Sequence, residues 1–272
     1  MDKLYFLSLA SGSSGNCYYL GTSDYGILID VGISVNHTKR ILKGNRIGIE
    51  TIMAILITHD HADHIKSAGY WGETLNIPIY ATETVHNGIH KSRYVKEILI
   101  RSKRIIEKEK TFTVKDFNIT AFEVPHDSSD NVGYSIEYGN QTFVIVTDAG
   151  HITETVRNYV KKADNLVFEA NYDDEMLRTG SYPEFLKQRI SGNVGHLSNH
   201  DAADFLASNY TPKLKNIWLC HLSRDNNHPE LAYKTVDTRL LKEGIRVGKD
   251  LSLTILKRMT PSKLYEMETA SY

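Results

Sequence analysis

Short apolar runs, separated by turn residues or by longer amphipathic stretches, punctuate this chain from Leu4 to Leu256. Their length and their Val, Ile, Leu and aromatic content predict strands over 4–9, 17–20, 26–30, 52–58, 77–81, 103–106, 117–124, 132–138, 141–147, 165–169, 216–220 and 252–256. The amphipathic stretches predict helices over 35–43, 64–75, 82–91, 152–162, 182–189, 200–208 and 230–243. Two local signals sharpen this reading. Gly139-Asn140, between two strand-like runs, marks a tight hairpin. Ser198, followed three residues later by Asp201, reads as a cap opening the helix at His200. No repeat, low-complexity segment or proline-rich linker divides the chain. One domain is expected over 1–257, and residues 258–272, which lack a clear pattern, are expected to form a loose C-terminal tail. Strand-rich halves with interspersed helices point to an α+β arrangement of sheets packed on each other and covered by helices.

Composition adds boundaries rather than chemistry. A chain of 272 residues, 41% hydrophobic and 24% charged, can bury a substantial core and has an ordinary globular balance. The net charge of -1 gives no global polyanion signature, so a nucleic acid would have to meet a local basic patch. No apolar run approaches the ~20 residues needed to cross a bilayer. Residues 4–7, preceded by Lys3, read as a first strand rather than a secretory leader. The two cysteines, Cys17 and Cys220, stand far apart and in no zinc-type spacing, which suits a reducing cytoplasm without structural disulfides.

The chemistry concentrates where apolar runs end. His59-Asp60-His61-Ala62-Asp63-His64 follows the run 52–57 directly, placing three imidazoles and a carboxylate within one turn of a stiff strand end. Imidazole suits zinc and related first-row ions, and a carboxylate adds charge to hold a divalent cation. Three further runs deliver one candidate ligand each: His126 after 122–125, Asp148 after 143–147 and His221 after 217–220. Singly, each is readily a turn former or a satisfied polar group. Together the count suits two ions, one held by His59, His61 and His126, the other by Asp63, His64 and His221, with Asp148 bridging through its two oxygens.

In this pattern the sequence resembles the metallo-β-lactamase-fold hydrolases, whose signature is HxHxDH followed by separate His, Asp and His ligands. The resemblance runs from Leu4 to about Leu256. It implies a four-layered αββα sandwich with a dinuclear site at one edge between the sheets. Phe168-Glu169-Ala170-Asn171-Tyr172, Gly195-His196-Leu197-Ser198-Asn199 and Cys220-His221-Leu222-Ser223 further resemble the layout of tRNA 3′-processing ribonucleases and related phosphodiesterases. There a Glu and a His outside the ligand set serve proton transfer at the leaving group, which implies that role for Glu169 and His196. The opening Ser11-Gly12-Ser13-Ser14-Gly15-Asn16 and the loop His126-Asp127-Ser128-Ser129 more closely resemble the YycJ/WalJ-like branch, associated with exonuclease activity on DNA. No long tRNA-gripping insertion and no β-CASP insertion is evident, which counts against tRNA or mRNA-end processing.

The expected chemistry is therefore a metal-dependent hydrolase of phosphodiesters, possible substrates including DNA. A water bridging two divalent ions loses a proton far more easily than bulk water and attacks phosphorus. Zinc is the first expectation for the two ions, with manganese or iron also accepted by such ligands. Asp63 is expected both to bind metal and to orient that water, and His196 to protonate the leaving group with Glu169 fixing its tautomer. For substrate, the loop 11–16, with Ser13 and Asn16, could offer backbone N–H groups to a phosphate, and Ser223 and Arg224 could hold a phosphate oxygen. Between residues 84 and 104, Lys91, Arg93, Lys96, Arg101, Lys103 and Arg104 stand against the single acid Glu97. They could form a nucleic-acid track, although such runs are more often a solvated face. His86 and His90 lie four apart on one predicted helix with no third ligand and are expected at the surface. The 16 tyrosines are expected mainly in the core and sheets, with some free to stack bases. No membrane partner is expected, and nothing in the sequence sets the oligomeric state.

Three other readings compete. The same nucleophile can attack a carbonyl, as in a thioesterase, lactonase or β-lactamase. An exported β-lactamase normally carries a leader, and a glyoxalase-type thioesterase a C-terminal helical domain, neither of which is seen here. A flavodiiron protein has Glu where His61 stands. A purely structural zinc site is closed and rarely dinuclear.

Overall fold

The computed structural model describes residues 3–269. Its described strands form two seven-stranded sheets. The first contains β1 (Lys3–Ala10), β2 (Cys17–Gly21), β3 (Gly26–Ile29), β4 (Ile52–Leu56), β5 (Ile79–Ala81) and β6 (Lys103–Ile105) side by side in chain order. The second contains, likewise in chain order, β7 (Thr111–Val114), β8 (Phe117–Glu123), β9 (Val132–Tyr138), β10 (Gln141–Val146), β11 (Asn165–Glu169), β12 (Asn216–Cys220) and β13 (Ser252–Ile255). A last strand, β14 (Tyr265–Glu268), returns to pair antiparallel with β1. Helices α1 (Val35–Gly44), α2 (Ala62–Ile65) and α3 (Glu83–Lys91) belong to the first half. Helices α4 (Glu154–Val160), α5 (Asp174–Thr179), α6 (Glu184–Ile190), α7 (Asn199–Ser208) and α8 (Pro229–Lys242) belong to the second. Ser34, Thr82, Thr153, Asp173 and Ser198 start five of these helices, each accepting an N–H of the first turn through its side-chain oxygen.

Strand alternation builds the layers. In β10, Phe143 and Ile145 face one way and Val144 and Val146 the other. The same split separates Trp218 and Cys220 from Ile217 and Leu219 in β12. The inward set joins Leu4, Phe6, Tyr18, Leu20, Ile27, Ile29 and Leu56 of the first sheet in one core between the sheets. The outward residues of the second sheet pack with α4, α7 and α8, and those of the first with α1, α2 and α3. The chain is thus an αββα sandwich, both sheets buried on both faces. No helix among the described residues is long and apolar enough to cross a membrane.

Strand β7 and helix α5 stand where the sequence reading assigned no element, and two further features depart from it. Residues 258–269 are not a loose tail. Ser262 N–H donates to Ser8 O (2.9 Å), and β14 covers the open edge of β1 with Met267 buried. The segment is too short and too polar to announce a strand, and only the exposed β1 edge gives it one. Residues 270–272 lie outside the described residues. The helix expected over 64–75 is broken into α2 and a π-turn at Tyr70–Thr74. Its backbone is diverted: Asp63 O accepts from Asn16 N–H (2.7 Å), His64 O from Val31 N–H (2.8 Å), and Ser67 N–H donates to Val31 O (3.0 Å).

Strands β3 to β6 run parallel, as do β10 to β13, and β8 shares the direction of β10 through the antiparallel β9. The C-terminal ends of β3, β4, β8, β10, β11 and β12 therefore open on one edge of the sandwich. The sheet contact below that edge is aromatic: Trp218 stands 4.6 Å from Phe6 and 5.2 Å from Tyr265 between ring centroids. Trp218→Ala is expected to cost about 3–5 kcal/mol. Urea unfolding would read this as a lower midpoint at unchanged slope, and a loss below about 1 kcal/mol would contradict this packing.

Candidate metal centre

At that edge the residues leaving the strands bend sharply. Asp30, Asp148 and His221 adopt left-handed backbone conformations, with φ of 58°, 54° and 55°. Such conformations are uncommon outside glycine, are most tolerated by Asp, Asn and His, and cost about 1 kcal/mol or more each. They turn side chains at the ends of β3, β10 and β12 toward a common point. A second constraint is a close backbone approach: a Cβ on Gly32 would lie 1.6 Å from the carbonyl oxygen of Asp63. Only glycine lets the chain after β3 lie against the His59–His64 turn.

Four imidazoles are then fixed through Nδ1. His64 Nδ1–H donates to Asp30 Oδ2 (2.7 Å), and His59 Nδ1–H to the Thr58 hydroxyl (3.0 Å), which itself donates to Asp30 (2.9 Å). His126 Nδ1–H donates to Gly195 O (2.9 Å), and His221 Nδ1–H to Glu169 Oε1 (3.0 Å). Each bond engages Nδ1 and leaves Nε2 toward the cluster, the nitrogen usual for metal-binding histidines once it carries no proton. His59 Nε2 and His221 Nε2 are buried without a hydrogen-bond partner. A buried nitrogen left so is costly unless a cation or proton donor takes its lone pair. The donor atoms of His59, His61 and His126 lie within 4.8 Å of one another, and so do those of Asp63, His64 and His221. Asp148 stands between the groups, 3.8 Å from His126 Nε2, 3.3 Å from His64 Nε2 and 3.4 Å from His221 Nδ1. Residues and spacing thus fit two first-row cations.

Glu169 and His196 lie beside this cluster but are engaged with each other. Glu169 Oε1 accepts from His196 Nδ1–H (2.9 Å), and its Oε2 accepts the N–H groups of Ala149 and Leu197 (2.9 and 3.2 Å). Both carboxylate oxygens are occupied, and the His196 ring, 19% exposed, has only Nε2 left.

The charges are strongly coupled. Burial and the neighbouring imidazoles hold His59 well below its ordinary pKa. Burial opposes a charged His64, but Asp30, Asp148 and Asp63 overcome it and hold the ring well above. His221, also opposed by burial, is pushed up to about 10, chiefly by Asp148, Asp63 and Glu169. His196 is raised against burial by Glu169. Burial raises the carboxyls of Asp63 and Glu169, yet His64 and His221 hold the first, and His196 and His221 the second, below the carboxylate range.

The remaining candidates separate. Asn16 does not face a substrate: it is buried, and its amide reaches Asp63 Oδ2 (3.3 Å) and His64 Nε2 (2.9 Å). The loop 11–16 is not an open cradle of N–H groups either. Those of Ser11, Gly12, Gly15 and Asn16 donate to Arg258 O, Asn16 Oδ1, Gly12 O and Asp63 O. Ser13 is exposed at its tip, and Arg224 is exposed just beyond His221 and Ser223. In the basic stretch Lys91, Arg93, Lys96, Arg101 and Arg104 are exposed. Arg104 donates to the carbonyls of Arg101 and Lys103, and Arg101 lies 3.8 Å from Glu73. His90 is exposed, but His86 is buried against Arg104 O (3.0 Å) because α3 packs over β6.

Asp30, Thr58 and Asp127 were not singled out from sequence. Asp30 ends an apolar run as Asp148 does, and that shared pattern was its available signal. Asp127 Oδ1 is buried without a hydrogen bond, 3.4 Å from His126 Nε2 and 3.9 Å from His61 Nε2, while its Oδ2 accepts from Arg189 (2.5 Å).

A family model described as a β-lactamase superfamily domain matches residues 25–215. The chain is 36% identical over 261 residues to exodeoxyribonuclease YycJ of Bacillus anthracis, covering 96% of this chain and 98% of that protein. It is 37% identical over 259 residues to exodeoxyribonuclease WalJ of Streptococcus pneumoniae serotype 2 (strain D39), covering 95% and 96%. The metallo-β-lactamase-fold protein YhfI from Bacillus subtilis superposes with a TM-score of 0.71 at 17% identity, covering 98% of this chain and 100% of that one, a likeness of fold.

Two outcomes test the cluster. Asp30→Asn takes the carboxylate from His64 Nδ1 and should weaken zinc binding about 10–100-fold in competition with a chromogenic chelator. Unchanged affinity would remove Asp30 from the site. Because His64 and His221 hold protons at neutral pH, and a cation needs their neutral form, zinc should expel about two protons. Calorimetry in buffers of different ionisation heat would count them, and affinity should rise between about pH 6 and 8. Zinc uptake without proton release would contradict the assigned charges.

Proposed function

The chain belongs to the metallo-β-lactamase-fold hydrolases of the β-lactamase superfamily, on the branch of YycJ and WalJ, and from that premise we propose that it is a metal-dependent phosphodiesterase that degrades DNA strands. Membership implies divalent metal ions. In this reading His59, His61 and His126 would hold one, Asp63, His64 and His221 would hold a second, and Asp148 would serve both, with zinc the first expectation. When bound, such a pair supplies Lewis acidity to the phosphoryl oxygens and eases the deprotonation of water.

The observation that carries the phosphodiester reading is the Glu169–His196 pair. It sits at the edge of the ligand cluster, with the His196 ring 5.0 Å from that of His126 and 5.2 Å from that of His221. Cleaving a phosphodiester expels a sugar alkoxide, which needs a proton far more than a thiolate does. His196, held protonated by Glu169, donates that proton from Nε2, and Glu169 keeps the ring oriented through Nδ1. Asp63, 23% exposed on its side chain, is the cluster carboxylate open to solvent and orients the attacking water. Ser223 and Arg224 hold a non-bridging oxygen of the substrate. Both cysteines are free and buried in the cores, which suits the cytoplasm.

His196→Ala is expected to lower kcat on a DNA strand by about 10²–10⁴-fold, with a much smaller loss on bis-p-nitrophenyl phosphate, whose nitrophenolate leaves without a proton, while metal content, read by mass spectrometry of the metal, stays at the wild-type level. Loss of metal with activity would make His196 a ligand instead. Metal-loaded protein should cleave bis-p-nitrophenyl phosphate and labelled DNA, and cleavage of only a thioester or lactone would overturn the phosphodiester reading.

A further inference from the structure

A cleft of about 530 Å³, of mixed basic, polar and apolar lining, opens on the His221 side of the metal-ligand cluster, a volume in the range of roughly 300–1,000 Å³ usual for ligand sites. Three cations from two separate segments line it: Arg224 after β12, and Lys257 and Arg258 after β13, joined by Ser14 and Ser223. His228 and Pro229 add the start of α8, a helix of 14 residues whose N-terminal end carries partial positive charge. The cleft begins one residue beyond His221 and is tied to the cluster on a second side. His221 N–H donates to Ser11 Oγ (2.9 Å), and Ser11 N–H donates to Arg258 O (3.0 Å). The stem of Arg258 lies over Gly12, where a Cβ would sit 2.7 Å from Arg258 Cγ. The same loop ends at Asn16, which touches Asp63 and His64. Arg258 is therefore carried by the loop that braces the ligands. The acid Asp225 lies 3.9 Å from Arg224 Nε but accepts the Tyr182 hydroxyl (2.8 Å). Arg101 and Arg104 of the 91–104 stretch, by contrast, meet Glu73 and backbone carbonyls.

We propose that this cleft grips the phosphate backbone of the DNA strand on one side of the scissile bond, with Lys257 and Arg258 as its main contacts. The assignment rests on the phosphodiesterase reading and adds where the strand lies. Each cation that neutralises a phosphate releases condensed counterions, so the cleft must show itself as salt-dependent affinity.

The test measures anisotropy of a fluorescein-labelled single-stranded DNA 12-mer with phosphorothioate linkages, bound by the metal-loaded full chain over a range of salt concentrations. Lys257→Glu should raise the Kd at least about tenfold. Lys257→Gln combined with Arg258→Met, which keeps an aliphatic stem over Gly12, should lower the salt slope by about 1.4. On unlabelled DNA of normal backbone, the loss should appear in KM more than in kcat. Lys91→Glu with Lys96→Glu should leave Kd within about twofold of wild type. The assignment fails if the cleft variants bind like wild type, or if the Lys91 and Lys96 variant weakens binding as much as they do. Wild-type protein inactive on bis-p-nitrophenyl phosphate would instead sink the phosphodiesterase reading, whatever the cleft variants do.

Discussion

The site depends on one constraint: each of four imidazoles is gripped at Nδ1, so that Nε2 is the nitrogen left to act. The grips differ in kind. Asp30 and Glu169 are buried carboxylates, Thr58 is a hydroxyl relayed to Asp30, and Gly195 offers a backbone carbonyl. Rings held this way need little reordering when a cation arrives, and the carboxylate partners raise their basicity. Asp30 serves two ligands of the same turn and Glu169 serves both His221 and His196. In the proposed function metal binding and proton delivery would therefore share supports, and a change at either carboxylate would reach two rings of the centre.

The sheets make this grip possible. Parallel strands in both halves end at one edge of the sandwich, and cores of interleaved aliphatic and aromatic side chains keep those ends in register. The cost appears locally, in the left-handed backbones of Asp30, Asp148 and His221 and in buried nitrogens without partners. Three left-handed backbones and two partnerless imidazole nitrogens at one strand-end edge mark where stability has given way to chemistry. The same edge gathers like and unlike charges so closely that His59 is driven toward neutrality while His64 and His221 retain protons.

Around the cluster the surface is not uniform. The basic residues that stand together along 91–104 spread over an exposed segment, and two of its arginines bond locally. Arg224 and the pair Lys257-Arg258, from separate segments of the chain, meet in a cleft that starts one residue beyond His221. In the proposed reading, a phosphodiester strand entering the centre would meet a reactive edge with a proton donor on one wall and a positive channel leading away from it.

How much of this the sequence determined follows from the range of the interactions. Most strand and helix positions, the hairpin at Gly139-Asn140 and the cap at Ser198 depend on neighbours a few residues away and were legible, whereas the short β7 and α5 carry too little pattern and were not. The HxHxDH turn was legible because its members are consecutive, and His126, Asp148 and His221 because each ends an apolar run. The breakage of the 64–75 helix was not, since it comes from Asn16 and Val31 competing for backbone groups across the fold. The strand Tyr265–Glu268 exists only because β1 presents an open edge, and Asp30 gains its role only when Gly32 lets its segment lie against Asp63. The phosphate role suggested for Asn16, and the grouping of Arg258 with Arg224, turned on the same fact. Composition and periodicity report what a segment prefers, while tertiary packing decides which polar atoms are already engaged when the segments meet.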